Sequence, residues 1–265
     1  MKKTVIKIAS GYTNRGGSTI ALVNLTNAFN AAGLDCTMYG PHDWHLGQCR
    51  SGRLEELRLD GDDRLITHFL AIEARPAVRR VLLTSHEKWW FPVGKIRQYW
   101  DAAVFLHPAH REYHAEYTGD HVLIPNIREE LVARSKAGLE RVAGVIGSIE
   151  ERKQTHVSIL RALNDGCEQV YLFGQILDQP YFDREVLPLL GERVQWCDYA
   201  SDKQAMYDAI GRVYHSSLGE VACLVKDECH STHTPFHGNA ETENSVATVS
   251  NEQIVELWRA ALGLI

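Results

Sequence analysis

Short apolar runs alternate with amphipathic stretches along most of the chain. Thr4–Ala9 is a largely apolar run of strand length. A polar, glycine-containing loop follows at Ser10–Gly17. Ser18–Ala32 then carries Ile20, Leu22, Val23, Leu25, Ala28 and Phe29 at helical spacing, with Ser18 as the expected N-cap and Gly33 as the C-terminal stop. Cys36–Tyr39 reads as the next strand. Strand, loop, helix and strand in that order form the unit from which parallel sheets are built.

The pattern continues with short strands expected at Leu65–Phe69, Val81–Ser85, Ala102–Leu106 and His121–Ile124. Glu129–Gly138 is polar and reads as a linker or a short connecting helix. A second α/β half begins at Arg141. It has expected strands at Val142–Gly147, Val170–Gly174 and Arg193–Cys197, and expected helices at Thr155–Asn164 and about Asp202–Ile210. A terminal helix, Glu252–Leu262, presents Ile254, Val255, Leu257, Trp258, Ala261 and Leu262 on one face. The expected domains are residues 1–138 and 139–250, with 251–265 as a terminal helix that crosses back to the first domain. Two such halves offer a crevice for a ligand.

Composition narrows the class. The chain has 265 residues, 45% hydrophobic and 23% charged, enough for a large buried core. A net charge of -6 argues against a nucleic-acid partner. Arg75, Arg79 and Arg80, followed by Lys88, Lys95 and Arg97, make a local basic stretch that reads as a membrane-facing or phosphate-facing surface or as a solvated helix face. The six cysteines form no C-x-x-C pair and suggest reduced thiols in a cytoplasmic protein. No apolar run approaches membrane-spanning length, so membrane association is expected to be peripheral, at the inner face. Trp89-Trp90-Phe91 and Tyr99-Trp100 concentrate aromatic surface, which can stack on a ligand, meet a membrane or pack in the core.

Candidate chemistry concentrates in three segments. The first is Glu220–Gly238, EVACLVKDECHSTHTPFHG, in which Glu220 and Glu228 are eight positions apart and Thr234-Pro235 follows. A carboxylate can hold a pair of vicinal hydroxyls. The second is Val145–Gln154, VIGSIEERKQ, a strand, a loop and two adjacent cations, Arg152 and Lys153. The third is Ser10–Ser18, SGYTNRGGS, whose Gly16-Gly17 pair lets backbone approach a ligand at the start of a helix.

Together these segments resemble the donor-binding signatures of retaining glycosyltransferases of the two-Rossmann (GT-B) fold, family 4 or group 1. Glu220 and Glu228 fall on that family's two glutamates, Ser231 on a small residue and Thr234-Pro235 on its turn. Gly147 and Lys153 match its V-G-R-x-x-x-x-K-G string. The stretch ALVNLTNAFNAAGLDCTMYG, VLIPNI at 122–127 and Gly174 resemble further segments. The implied fold is α/β, two Rossmann-like domains facing across a cleft, in a compact version.

The resemblance implies that Glu220 touches the transferred sugar, that Glu228 accepts from the ribose hydroxyls, and that Lys153, with Arg152, steadies the diphosphate. His86 would face the donor sugar. Gly16, Gly17, Gly147, Ser148, Gly174, Val221, Ala222, Cys223 and Leu224 would line the donor site, with amides at a helix start near Val225 meeting the diphosphate. Two departures stand out. Ser148 replaces the family's arginine, and Val221-Ala222-Cys223 replaces its glycine-rich stretch.

The implied reaction is hexose transfer with retention from a nucleotide sugar, a UDP-sugar before a GDP-sugar. The acceptor would be a glycan, lipid or small molecule, with a cell-envelope glycan or lipid as the family-level expectation. No cofactor and no metal are expected. Asp60, Asp62 and Asp63 read as a loop, and His215, His230, His233 and His237 with Cys223 and Cys229 lack zinc-site spacing. A non-catalytic nucleotide- or sugar-binding module and a sugar-nucleotide epimerase of the same fold are the alternatives.

Overall fold

The computed structural model describes residues 4–41, 45–70, 72–88, 98–242 and 249–265. It divides into two compact units, Met1–Arg128 with Ala247–Ile265, and Glu129–Val246.

The first unit holds a seven-stranded parallel sheet. Its strands are β1 (Val5–Ser10), β2 (Asp35–Gly40), β3 (Ser51–Arg53), β4 (Arg64–His68), β5 (Arg80–Thr84), β6 (Ala102–Phe105) and β7 (His121–Leu123), in the order β3-β2-β1-β4-β5-β6-β7. Chain order reverses between β1 and β4, so the connections leave this pair of strands on opposite sides, the place where open α/β sheets bind ligands. Ile6 lies beside Cys36 on one flank and Arg64 on the other. β4 and β5 are buried almost throughout, around Leu65-Ile66 and Val81-Leu82-Leu83.

Helix α1 (Gly17–Ala31) joins β1 to β2 and buries Leu22, Leu25 and Phe29. Its N-cap is Gly16 rather than Ser18. Ser18 lies inside the first turn, and its hydroxyl donates to Glu87 Oε1 at 2.7 Å. Gly33 ends the helix in the left-handed region, at φ +76°.

The terminal helix, Asn251–Ala261, opens with a Ser250–Gln253 capping box and buries Ile254, Val255 and Trp258 in the first unit's core. Trp258 meets Phe29 edge-on at 6.2 Å. Two arginines of the sheet satisfy the helix's last carbonyls: Arg64 Nε donates to Leu262 O at 2.8 Å, and Arg80 Nε to Ala261 O at 2.9 Å. The stretch 75–79 is therefore no helix face. It is irregular chain, with Arg75 paired to Asp101 at 3.0 Å. Lys95, Arg97, Trp89, Trp90 and Phe91 lie outside the described residues.

The second unit has a five-stranded parallel sheet of β8 (Val142–Ile146), β9 (Gln169–Phe173), β10 (Val194–Trp196), β11 (Arg212–Tyr214) and β12 (Phe236–His237), in the order β10-β9-β8-β11-β12. Ala143, Val145, Ile159, Val170 and Leu172 form its core. A short helix, α2 (Pro108–Glu112), follows β6 in the first unit. Helices α3 (Thr155–Asn164), α4 (Lys203–Asp208) and α5 (Leu224–Ser231) belong to the second. Asp202 caps α4 by accepting from Ala205 N at 2.9 Å. Residues 129–138 contain no helix.

The short strands β3, β11 and β12 go beyond the strands expected from the apolar pattern. All six cysteines are free thiols. Among the described residues, no helix is long and apolar enough to cross a membrane.

Candidate active site

The site of the second unit forms where strands β8, β9 and β11 end. β8 stops at Ile146, and Gly147 takes φ +137°, which only glycine adopts readily. β9 stops at Phe173, and Gly174 follows at φ +159°. A side chain on Gly174 would put its Cβ 1.9 Å from Gly147 O, so the two loops touch through bare backbone. Gly147 N donates to Phe173 O at 2.9 Å, and Trp196 Nε1 donates to Gly174 O at 2.9 Å.

After Gly147 the chain makes a single tight turn, Glu151–Lys153, and enters α3 through Gln154. Gln154 takes φ +47°, a left-handed conformation uncommon outside glycine, in the link that immediately follows Lys153. After β11 the chain runs through residues 215–223 before α5 begins. The two loops are stitched together: Leu218 N donates to Arg152 O, and Arg152 Nη1 donates to Gly219 O, both at 2.9 Å.

This stitching brings together residues 67 positions apart. Lys153 Nζ reaches Glu220 Oε1 at 2.5 Å, and Arg152 Nη1 lies 3.9 Å from the same oxygen. Adjacent in sequence, Arg152 and Lys153 both come within 4 Å of Glu220, Lys153 half-buried and Arg152 more exposed. Ser148, at the family's arginine position, donates to Glu150 Oε1 at 2.8 Å. Arg152 Nη2 donates to that same Glu150 oxygen at 2.9 Å, so the cation stands beside the position where the family's arginine is missing.

Glu220 is buried. Burial alone would raise its pKa, but Lys153 and the His215 hydrogen bond outweigh it and hold the carboxyl well below the usual carboxylate range. His215 closes the group from the other side, with Nε2 at 3.2 Å from Glu220 Oε1 and Nδ1 at 3.2 Å from Ile146 O. In sequence His215 is one member of a histidine-rich run; its contact with Glu220 depends on how the loop after β11 folds back.

Val221 and Cys223 are buried, and Ala222 and Leu224 half-buried, where the chain turns into α5. Cys223 is the N-cap of α5 and supplies no side-chain cap, so the first amides of the helix rely on other acceptors. One turn further on, Glu228 is buried and bound at both oxygens: Lys203 Nζ donates to Oε1 at 2.6 Å, and Tyr207 OH to Oε2 at 2.9 Å. Lys203 also holds Glu129 Oε2 at 2.5 Å. Burial pulls Lys203's pKa down, and the two carboxylates override it to leave a net rise. Lys203 and Tyr207 lie on α4, 25 and 21 positions before Glu228, and no local pattern marks them.

The remaining candidates lie in the first unit. Gly16 and Gly17 form the start of α1. His86 follows β5. Its Nδ1 is buried without a hydrogen-bond partner among the described residues, and burial lowers its pKa to about 4. His68 lies beside it, with the rings tilted and their centroids 5.1 Å apart, and its own pKa is also driven down by burial. His230, His233 and His237 do not converge with Cys223 and Cys229, and no group of three or more His, Cys, Asp or Glu side chains among the described residues is arranged to hold a metal.

No protein-family model matches the chain, and no curated protein matches it by sequence. Solved structures do match. HepE from Anabaena, solved with UDP-glucose, has a TM-score of 0.67 at 12% identity, over 97% of this chain and 89% of its own. The pneumococcal O-GlcNAc transferase GtfA, solved with UDP and GlcNAc, has a TM-score of 0.68 at 8% identity, over 99% and 92%. Sucrose-phosphate synthase from Thermosynechococcus elongatus has a TM-score of 0.66 at 16% identity, over 91% and 82%. With two α/β units, each built on a parallel sheet, the chain has the GT-B fold that these structures share.

Proposed function

We propose that this chain is a glycosyltransferase that moves a hexose from a nucleoside diphosphate sugar to an acceptor, with retention and without a metal. The observation that carries this reading is the buried Glu220–Lys153 pair, 2.5 Å apart, beside the bare-backbone loops at Gly147 and Gly174. A diphosphate needs cations and amide donors; Lys153, Arg152 and the first amides of α5 supply them. A departing nucleoside diphosphate carries its charge toward those groups, and fixed cations there lower the barrier. HepE and GtfA, which share the fold, were solved with UDP-glucose and with UDP and GlcNAc. That supports a UDP-sugar as the first donor to try.

In this reading Glu220 meets the sugar, where glycosyl transfer builds positive charge at the anomeric carbon. For His86, Gly16 and Gly17, in the first unit, the resemblance alone supports a role toward the donor. Glu228 is assigned the ribose hydroxyls. Its lone pairs beyond the two bonds from Lys203 and Tyr207 would receive them. The acceptor is proposed to be a glycan or lipid of the cell envelope, met in the cytoplasm at a peripheral membrane position.

The test is a panel of UDP- and GDP-sugars, read first by thermal shift and then by nucleotide release. Glu220→Gln should lower the melting temperature, because it leaves Lys153 without its buried partner, while the chain still folds by circular dichroism. It should lose about 100-fold or more in turnover, the usual cost of removing a preorganised charge at the reacting centre. Undiminished turnover in that variant would falsify its role. Donor binding with neither transfer nor hydrolysis by the unaltered chain would favour a binding module.

A further inference from the structure

Buried between two acceptors, His215 has a proton problem. Nδ1 stands 3.2 Å from the carbonyl oxygen of Ile146, and Nε2 stands 3.2 Å from Glu220 Oε1. A neutral imidazole has one N–H and satisfies one of them; an imidazolium satisfies both. The charged groups around the ring are Glu220, Lys153 on the tight turn, and Arg152 beyond it. Phe236, from the neighbouring strand, covers the ring at 6.2 Å between centroids. Burial and Lys153 disfavour a second proton, against the pull of Glu220, and lower the pKa of the ring overall. The charged carboxylate is the stronger acceptor, so the single proton of the neutral ring belongs on Nε2.

Two donors therefore converge on one oxygen, Glu220 Oε1, from two different parts of the chain. Lys153 comes from the turn after β8, and His215 from the end of β11. Together they fix the rotation of the carboxylate as one donor alone would not. We propose that His215 is a positioning residue for Glu220, setting the orientation and the net charge with which that carboxylate meets the sugar. The proposal rests on the sugar-transfer reading above. A second proton on the ring places another cation against Glu220 and weakens its support of positive charge at the anomeric carbon, so turnover falls on the acid side.

The experiment uses the full chain and the donor found in the panel, with His215→Phe, which keeps a ring but no donor, and His215→Gln, whose amide stands near the Nε2 position. His215→Phe should lower kcat by about tenfold or more with the donor KM within about twofold, the scale of losing a supporting hydrogen bond to a reacting group. His215→Gln should recover much of that kcat and lose the acid limb of the kcat profile. Unchanged kcat in His215→Phe, or equal losses in both variants with an unmoved pH profile, overturns the proposal. Nitrogen NMR of the resting protein gives a readout that needs no turnover. Nε2 of His215 should be protonated near neutral pH and should shift in Glu220→Gln; an unprotonated Nε2 overturns the proposal even where transfer is established. A chain that turns over no nucleotide sugar, yet shows the protonated, Glu220-sensitive Nε2, refutes the transfer reading and leaves the contact standing.

Discussion

Lys203 sits between two carboxylates, Glu228 at 2.6 Å and Glu129 at 2.5 Å, and Glu228 is buried. Removing the cation strands a charge. Lys203→Met should cost about 3–5 kcal/mol, the usual range for breaking a buried ion pair, measured as a lower urea midpoint. Adding Glu228→Gln should return most of that loss; no recovery in the double variant would contradict the pairing. At this scale the sequence offered the acids and Lys153 as candidates, through the resemblance of their strings to a known family. It did not reveal their partners. Nothing near Lys203 marks it as a neighbour of Glu228, and His215 meets Glu220 only because the loop after β11 reverses. Side chains that act through space leave no local pattern.

Strand ends and the turns that follow them build the site. Gly174 shows the constraint most directly: its φ of +159° is strained for other residues, and a Cβ would stand 1.9 Å from Gly147 O. Gly174→Ala should push the two loops apart, cost about 1–3 kcal/mol, and weaken nucleotide-sugar binding as read by thermal shift. An unchanged melting temperature with unchanged donor binding would contradict the close approach. The longer elements were legible as apolar runs and helical spacing, within a residue or two at their ends. β3, β11 and β12 have three, three and two residues; β7 and β10, also three residues long, were legible, so shortness alone did not hide the others. The arginine stretch 75–80 reads as a surface by composition; in the fold Arg80 instead closes the end of the terminal helix.

The first unit holds histidines in neutral form, and this sets a pH dependence for stability. Burial lowers His86 to about 4 and His110 to about 3, against 6.5 for an unperturbed histidine. Between those values the unfolded chain binds more protons than the folded one, so stability falls as pH drops below 6.5, until the folded groups themselves protonate. Each histidine contributes a slope of up to about 1.4 kcal/mol per pH unit in its window. Glu220 adds loss in the same direction at lower pH, since its folded pKa is depressed. Urea midpoints should drop steadily from about pH 7 to about pH 5; a flat profile would show that these rings are not held neutral.

By itself the sequence determined the alternation of strands and helices, two α/β halves, and the acids and lysine of one candidate site. The alternation is written in local periodicity, which a single chain carries without help; the acids and the lysine were singled out by resemblance to a family's strings. Tertiary structure alone decided which cations face Glu220, that His215 and Lys203 join the two glutamates, and that two glycines let strand ends meet. Such pairings depend on distances between loops far apart in the chain, and only the packed sheets fix those distances.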